Sequence, residues 1–155
     1  MNEVTGDIWN YHHDQSWVVV PTNIGWKKHT SENVMGAGVA EQAAQRYPEL
    51  PYLYGKWCRD RRTRTPVLTA PHLRLILFPV KPLRVAEPWL SWQQPAALGL
   101  VMQSILELGK LDYTDDCPVY LPLVGCGNGK LNPGIVVPML RAVLDDRFTL
   151  VHYPA

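Results

Sequence analysis

PVYLPLVGCGNGKL, residues 118–131, is the stretch on which the reading of the chain turns. Val119, Tyr120, Leu121, Leu123 and Val124 form an apolar run rich in strand-favouring side chains. It drops directly into Gly125-Cys126-Gly127-Asn128-Gly129, and an amphipathic segment begins at Pro133. The order is strand, glycine turn, helix. Glycines lack a Cβ, so the backbone can bring its N–H groups against a ligand, while a following helix offers its positive end to an anion. The chemistry suggested is phosphate binding.

Working outward, Ser16 to Thr22 (SWVVVPT) is a continuous apolar run, stopped by Pro21, of the kind buried on both faces of a parallel or mixed sheet. Asn23 follows it directly. Leu73 to Val80 (LRLILFPV) is a second such run, with a weaker strand around Pro66 to Leu68, and Lys81 stands at its end. Val4 to Trp9 reads as an opening strand interrupted by Gly6 and Asp7, which leaves Asp7 exposed at a strand end. A closing strand is predicted over Phe148 to His152.

Helices are predicted between these runs. One carries Val39, Ala43, Ala44 and Tyr47 at helical spacing and stops at Pro48; a second covers 49–62 with Leu50, Leu53 and Trp57 inward. A long one spans 89–110 with its true start near Pro95, and the last runs from about Pro133 to Leu144. Alternating strands and helices predict a single α/β domain over 1–155, a mixed, mostly parallel sheet between helical layers. In such sheets ligands bind beyond the carboxyl ends of the strands, so one crevice is expected to collect Asp7, Asn23, Lys81 and the Gly125 to Gly129 turn.

Composition narrows the function. The 155 residues are 46% hydrophobic, enough for one core, and 15 Lys+Arg against 14 Asp+Glu give a net charge of +1. No global field is available to hold a long nucleic acid. Cys58, Cys117 and Cys126 are odd in number and widely spaced, which argues against a disulfide framework or zinc site and for a reducing cytoplasm. No bilayer-spanning window or leader pattern is present, so no membrane partner is expected.

Gly36-Ala37-Gly38-Val39 is a second glycine loop before a helix, and two such loops are what an extended diphosphate needs. Neither matches the spacing of the nucleotide-triphosphatase or dinucleotide motifs. Cys126 reads either as a nucleophile or as a small residue packed under the turn. His12 and His13 lack companions for a metal; Arg59, Arg61, Arg62 and Arg64 are either a phosphate contact or a solvated helix end. Phe148, His152 and Tyr153 read as an adenine-stacking edge or as packing.

Taken together, Val4-Thr5-Gly6-Asp7-Ile8, Val19-Val20-Pro21-Thr22-Asn23, Met35-Gly36-Ala37-Gly38-Val39-Ala40 and Leu123-Val124-Gly125-Cys126-Gly127-Asn128-Gly129 resemble the macro domain, the ADP-ribose-binding fold, in order and spacing over nearly the whole chain. With Phe78-Pro79-Val80-Lys81, they resemble the branch containing the DNA ADP-ribosyl glycohydrolase DarG and related bacterial and phage ADP-ribose-processing proteins. The resemblance implies a three-layer α/β/α fold whose partner is ADP-ribose or an ADP-ribosylated substrate, ADP-ribosylated DNA among the candidates, with no cofactor and no metal. It places Asp7 at the adenine amino group with the Ile8 backbone nearby, and Asn23 at the distal ribose. Val20 stands where many members carry a further asparagine. Gly36, Ala37, Gly38 and Val39 wrap the ribose, and Gly125, Cys126, Gly127, Asn128 and Gly129 hold the diphosphate. Lys81 matches the lysine that acts at the anomeric carbon, as nucleophile or as a positioning charge. Protein-directed relatives carry an aspartate where this chain has Gly129, and Glu32, His29 and Asp115 are the substitutes for that second group. The implied activity is ADP-ribosyl hydrolysis, with a non-catalytic binding module or an ADP-ribose 1''-phosphate phosphatase as alternatives.

Overall fold

The computed structural model describes residues 1–61, 67–111 and 117–154. The elements are β1 (Asn2–Thr5), β2 (Trp17–Asn23), α1 (Gly38–Arg46), α2 (Leu50–Asp60), β3 (Leu68–Ala70), β4 (Leu75–Lys81), α3 (Leu98–Gly109), β5 (Val119–Leu121), α4 (Pro133–Val143) and β6 (Phe148–His152), with 3-10 turns at Ile8–Tyr11 and Pro88–Gln93. One six-stranded sheet runs in the order β1-β6-β5-β2-β4-β3. Every pairing is parallel except that of β3 with β4.

The central strands are apolar on both faces because both faces are covered. Trp17 and Val19 of β2, with Ile76, Phe78 and Val80 of β4, pack against Val101, Ile105 and Leu108 of α3 and Val136 and Leu140 of α4. Their alternating neighbours Val18, Val20, Leu75 and Leu77 pack on the opposite face against Ala43 of α1 and Leu50, Tyr54 and Cys58 of α2. Strand alternation therefore divides one apolar run between two cores. Each such fully buried side chain contributes roughly 1.5–3 kcal/mol.

Several expected boundaries move. Pro21 does not stop β2, and β4 runs through Pro79 to include Lys81. Both prolines lie where their strand has a single sheet neighbour: β5 pairs β2 only at Trp17 and Val18, and β3 pairs β4 only as far as Leu77. A residue without an N–H costs little there. The opening strand ends at Thr5, and Ile8 and Trp9 enter a buried 3-10 turn. The long helix predicted over 89–110 is split into Pro88–Gln93 and α3, with Pro95 between them. On α2 the inward face is Leu50, Tyr54 and Cys58, leaving Leu53 and Trp57 half-buried. Pro66 lies outside the described residues, and β3 begins at Leu68.

Candidate functional site

The carboxyl ends of β2 and β4 bring Asn23 and Lys81 side by side. The parallel register runs Pro21 to Phe78 and Thr22 to Pro79, then skips Val80 and pairs Asn23 with Lys81. Pro79 has no N–H to continue the ladder, and the extra residue that follows is a bulge. Without it Asn23 would face Val80. The displaced Val80 stays buried, and its carbonyl accepts from the Ala97 amide at 2.9 Å.

Asn23 is buried and already engaged. Its Oδ1 accepts from the Gly25 amide (2.9 Å) and from Nδ2 of Asn33 (3.0 Å), and its own Nδ2 donates to the Val34 carbonyl (2.9 Å). Asn33, also buried, donates to the carbonyls of Asn23 and Gly25. The asparagine thus holds the 24–34 loop and retains one Nδ2 hydrogen. It lines a cleft of about 860 Å³ together with Thr22, Val34, Lys81, Trp92 and Gln93.

Both glycine loops line the same cleft. Gly36, Ala37, Gly38 and Val39 form one wall, and Gly125, Gly127, Asn128 and Gly129 the other. Ala37 caps α1 without a side-chain hydrogen bond, and the first bond back to it comes from Glu41. The amides of Gly38, Val39 and Ala40 therefore have no intrahelical acceptor. Opposite them, the amides of Cys126, Gly127, Asn128 and Gly129 make no hydrogen bond among the described residues. The helix that follows the second loop behaves differently from expectation. Asn132 closes the start of α4 by accepting from Gly134 (2.8 Å) through Oδ1 and from Ile135 and Val136 through its carbonyl. The helix N-terminus opening into the cleft is that of α1.

Cys126 is the one member of its loop that does not line the cleft. It packs against the core under α3 and α4, its Sγ lies 3.5 Å from the Val124 carbonyl, and burial pushes its thiol pKa up. Packing rather than nucleophilic chemistry explains this cysteine.

The amine of Lys81 donates to the carbonyl of Trp92 at 2.9 Å. That carbonyl is placed by the Pro88–Gln93 turn, which docks on Gly25: a Cβ there would lie 2.1 Å from the Pro88 carbonyl oxygen and 2.6 Å from Oγ of Ser91. Burial, and secondarily the charge of Lys130, lower the pKa of Lys81 below that of an ordinary lysine. The lining contains no carboxylate and no histidine among the described residues, so neither Glu32 nor His29 is in the cleft; Asp115 lies outside the described residues. Gly129 could not carry the missing acid in this loop. A Cβ there would stand 2.5 Å from the Gly125 carbonyl oxygen and 2.7 Å from Cβ of Ala96.

Asp7 is exposed, as expected, but it does not join the cleft. It caps the Ile8–Tyr11 turn, Oδ1 accepting from the Trp9 amide at 3.0 Å, and lines a separate recess of about 340 Å³ with Trp9, Gln42, Gln45 and Arg46. Ile8 is buried and lines neither space. In the recess Arg46 lies over the Trp9 ring at 4.5 Å, and Nε1 of Trp9 donates to Gln42. The two spaces share α1, whose first turn faces the cleft and whose later residues face the recess.

The remaining residues singled out from sequence go elsewhere. His12 bonds the Leu73 carbonyl, and Nδ1 of His13 accepts from the Gln15 amide. Among the described residues no cluster of three His, Cys, Asp or Glu side chains could hold a metal ion, and no helix is long and apolar enough to cross a membrane. Phe148 is core, His152 bonds Glu3, and Tyr153 is exposed away from both spaces. Arg59 pairs with Asp60; Arg62 and Arg64 lie outside the described residues. Trp92, Gln93 and Lys130 line the cleft without having been singled out. Reading 89–110 as one helix hid the first two; Pro88 and Pro95, bracketing a turn, were the available signal.

No protein-family model and no curated protein matches the sequence. Solved structures do match. The macrodomain of Thermus aquaticus DarG aligns over 99% of this chain and 97% of its own, with a TM-score of 0.71 at 21% identity. The macrodomain of Mycobacterium tuberculosis DarG aligns over 100% and 99%, with a TM-score of 0.69 at 24% identity. Thermosipho africanus DarTG, solved in complex with ADP-ribose, aligns over 90% of this chain and 38% of its own, with a TM-score of 0.62 at 18% identity. The chain has the three-layer α/β/α fold of the DarG macrodomains.

Proposed function

We propose that this chain is a single macro domain that binds ADP-ribose in the cleft and, as an ADP-ribosyl hydrolase, removes it from a modified target. The observation that carries this reading is Lys81, an amine of lowered pKa held at a strand end beside Asn23, between two glycine loops with free amides. The cleft volume, about 860 Å³, falls within the range of small-ligand sites. The Lys130 charge, a lining without carboxylates among the described residues, and the unbonded loop amides suit a diphosphate. The structural neighbour solved with ADP-ribose supports the ligand class.

In this reading the neutral Lys81 amine forms a bond to C1'' of the distal ribose as the bond from C1'' to the target breaks. The target leaves with the electron pair and takes up the proton the amine gives up. Water then adds at C1'', returns a proton to the lysine nitrogen and releases ADP-ribose. Asn23 orients the ribose, the loops at 36–39 and 125–129 hold ribose and diphosphate, and Asp7 reaches the adenine from the neighbouring recess, beside the Ile8 backbone. A DNA base is the target that the DarG-like fold brings forward, and three free cysteines suit a reducing cytoplasm.

The test is release of ADP-ribose from ADP-ribosylated DNA and ADP-ribosylated protein, with Lys81→Ala alongside. The expected result is release from at least one substrate, reduced about a hundredfold or more in the variant with binding retained. Tight calorimetric binding of ADP-ribose with no release, unchanged in Lys81→Ala, would instead make the chain a binding module. The sealed position at Gly129, with no carboxylate lining the cleft among the described residues, favours that second reading. Phosphate release from ADP-ribose 1''-phosphate alone would identify a phosphatase.

A further inference from the structure

The recess beside the cleft is built around Trp9, a buried residue held at four points. Its backbone amide donates to Oδ1 of Asp7 (3.0 Å), the Arg46 guanidinium lies over its ring at 4.5 Å, the His12 ring meets it edge to face at 5.3 Å, and its indole Nε1 donates to Oε1 of Gln42 at 2.7 Å. Gln42, Gln45 and Arg46 stand three and four residues apart on α1 and so share one helix face. An indole N–H can only donate, which fixes the direction of the Gln42 amide: oxygen toward Trp9, nitrogen away from it. Gln45 turns its own Nε2 to Glu41 (3.4 Å). Among the described residues neither Nε2 of Gln42 nor Oδ2 of Asp7 makes a hydrogen bond. The recess therefore offers a carboxylate acceptor and an amide donor, one tied to the backbone of Trp9 and the other to its indole.

We infer that Gln42 is a specificity-determining residue for the base, donating through Nε2 to a ring nitrogen of adenine, with its polarity set by Trp9. The inference rests on the reading that the adenine of ADP-ribose reaches this recess, and on the hydrogen bonds around Trp9 for the direction of the amide. Adenine presents an exocyclic amine, a donor, between two ring-nitrogen acceptors, N1 on one side and N7 on the other. An acceptor beside a donor is the complement of either edge. A glutamine free to turn over accepts as readily as it donates, and so discriminates poorly. The indole removes that ambiguity before the ligand arrives, so the amide has no orientation left to lose on binding. Arg46, held flat on Trp9, adds a planar cation of the kind that stacks on aromatic faces.

Calorimetry of the full chain with ADP-ribose and with its 1-deaza and 7-deaza analogues, in which one ring nitrogen is replaced by carbon, tests this without reference to turnover. Gln42→Glu keeps an acceptor for the indole and removes the donor; Gln42→Met removes both and keeps the length. One analogue is expected to bind the unmodified chain about threefold to tenfold more weakly than ADP-ribose. Both Gln42 variants should lose a similar factor for ADP-ribose and no longer distinguish it from that analogue. Trp9→Phe, which lets the amide turn over, should shrink the distinction in a chain shown by circular dichroism to be folded, and a distinction of full size there overturns the role given to Trp9. If neither analogue has a deficit that disappears in both Gln42 variants, the inference fails while ADP-ribose binding itself stands. ADP-ribose that does not bind the unmodified chain removes the reading of the cleft and the inference together. The expected pattern in a protein that hydrolyses nothing supports the inference and removes the hydrolase reading instead.

Discussion

The loops at 36–39 and 125–129 look alike as sequence, each a glycine-rich turn leading to a helix, yet they use their glycines for opposite reasons. The first is open. A Cβ on Gly36 would meet only Val34 Cγ1 at 3.9 Å, one on Gly38 would meet nothing within 4 Å, and what Gly38 supplies is a positive φ of 58°. The second is closed around itself, with Gly125 (φ 75°) tight against Leu131 and Gly129 pressed on the Gly125 carbonyl and Ala96. The first leads into a helix whose leading amides face the cleft, the second into one sealed by Asn132. A glycine loop before a helix therefore carries two separable functions, access to helix amides and close backbone packing, and this fold assigns one to each wall.

Substitutions at the glycines can break that contrast. Gly129→Ala has the largest expected effect, because the new methyl meets a backbone oxygen and a buried Cβ that cannot move independently; unfolding in urea should show a loss of about 3 kcal/mol. A loss below about 1 kcal/mol would mean that the second loop is not packed as described. Gly38→Ala comes next, at roughly 1–2 kcal/mol, entirely from its left-handed backbone, and Gly38→Asn should recover part of that. Equal stability of the alanine and asparagine variants would remove the conformational explanation. Smallest is Gly127→Ala, whose Cβ meets nothing within 4 Å and whose φ is not positive. Its stability should change by less than about 0.5 kcal/mol, leaving any loss to appear in ADP-ribose affinity by calorimetry. A large unfolding penalty there would erase the distinction between packed and open positions within one loop.

Helix and strand identity were largely legible because periodicity is a local property. β6 falls at Phe148–His152 as expected, and α1 and α4 lie within about a residue or two of their predicted spans. What failed was whatever depended on neighbours. Pro21 read as a strand stop, and both it and Pro79 are tolerated inside their strands because β5 and β3 end early. The buried face of α2 shifted to Tyr54 and Cys58 because the contact is set by β2 and the Ser31 to Asn33 loop, against which Gly55 lies so closely that a Cβ would sit 1.9 Å from the Ser31 carbonyl oxygen.

The sequence by itself determined the alternation of strands and helices, the two glycine loops, and the presence of Asn23 and Lys81 at strand ends, since each follows from short-range patterning and from where strands must stop. Only the tertiary structure decided which of these meet. The bulge after Thr22 brings Asn23 opposite Lys81, the seat on Gly25 carries Trp92 to the lysine amine, and the cap at Asp7 holds that carboxylate in a recess of its own. The physical reason is that register, close backbone approach and shared charge are properties of pairs distant in the chain, and no local window contains both members.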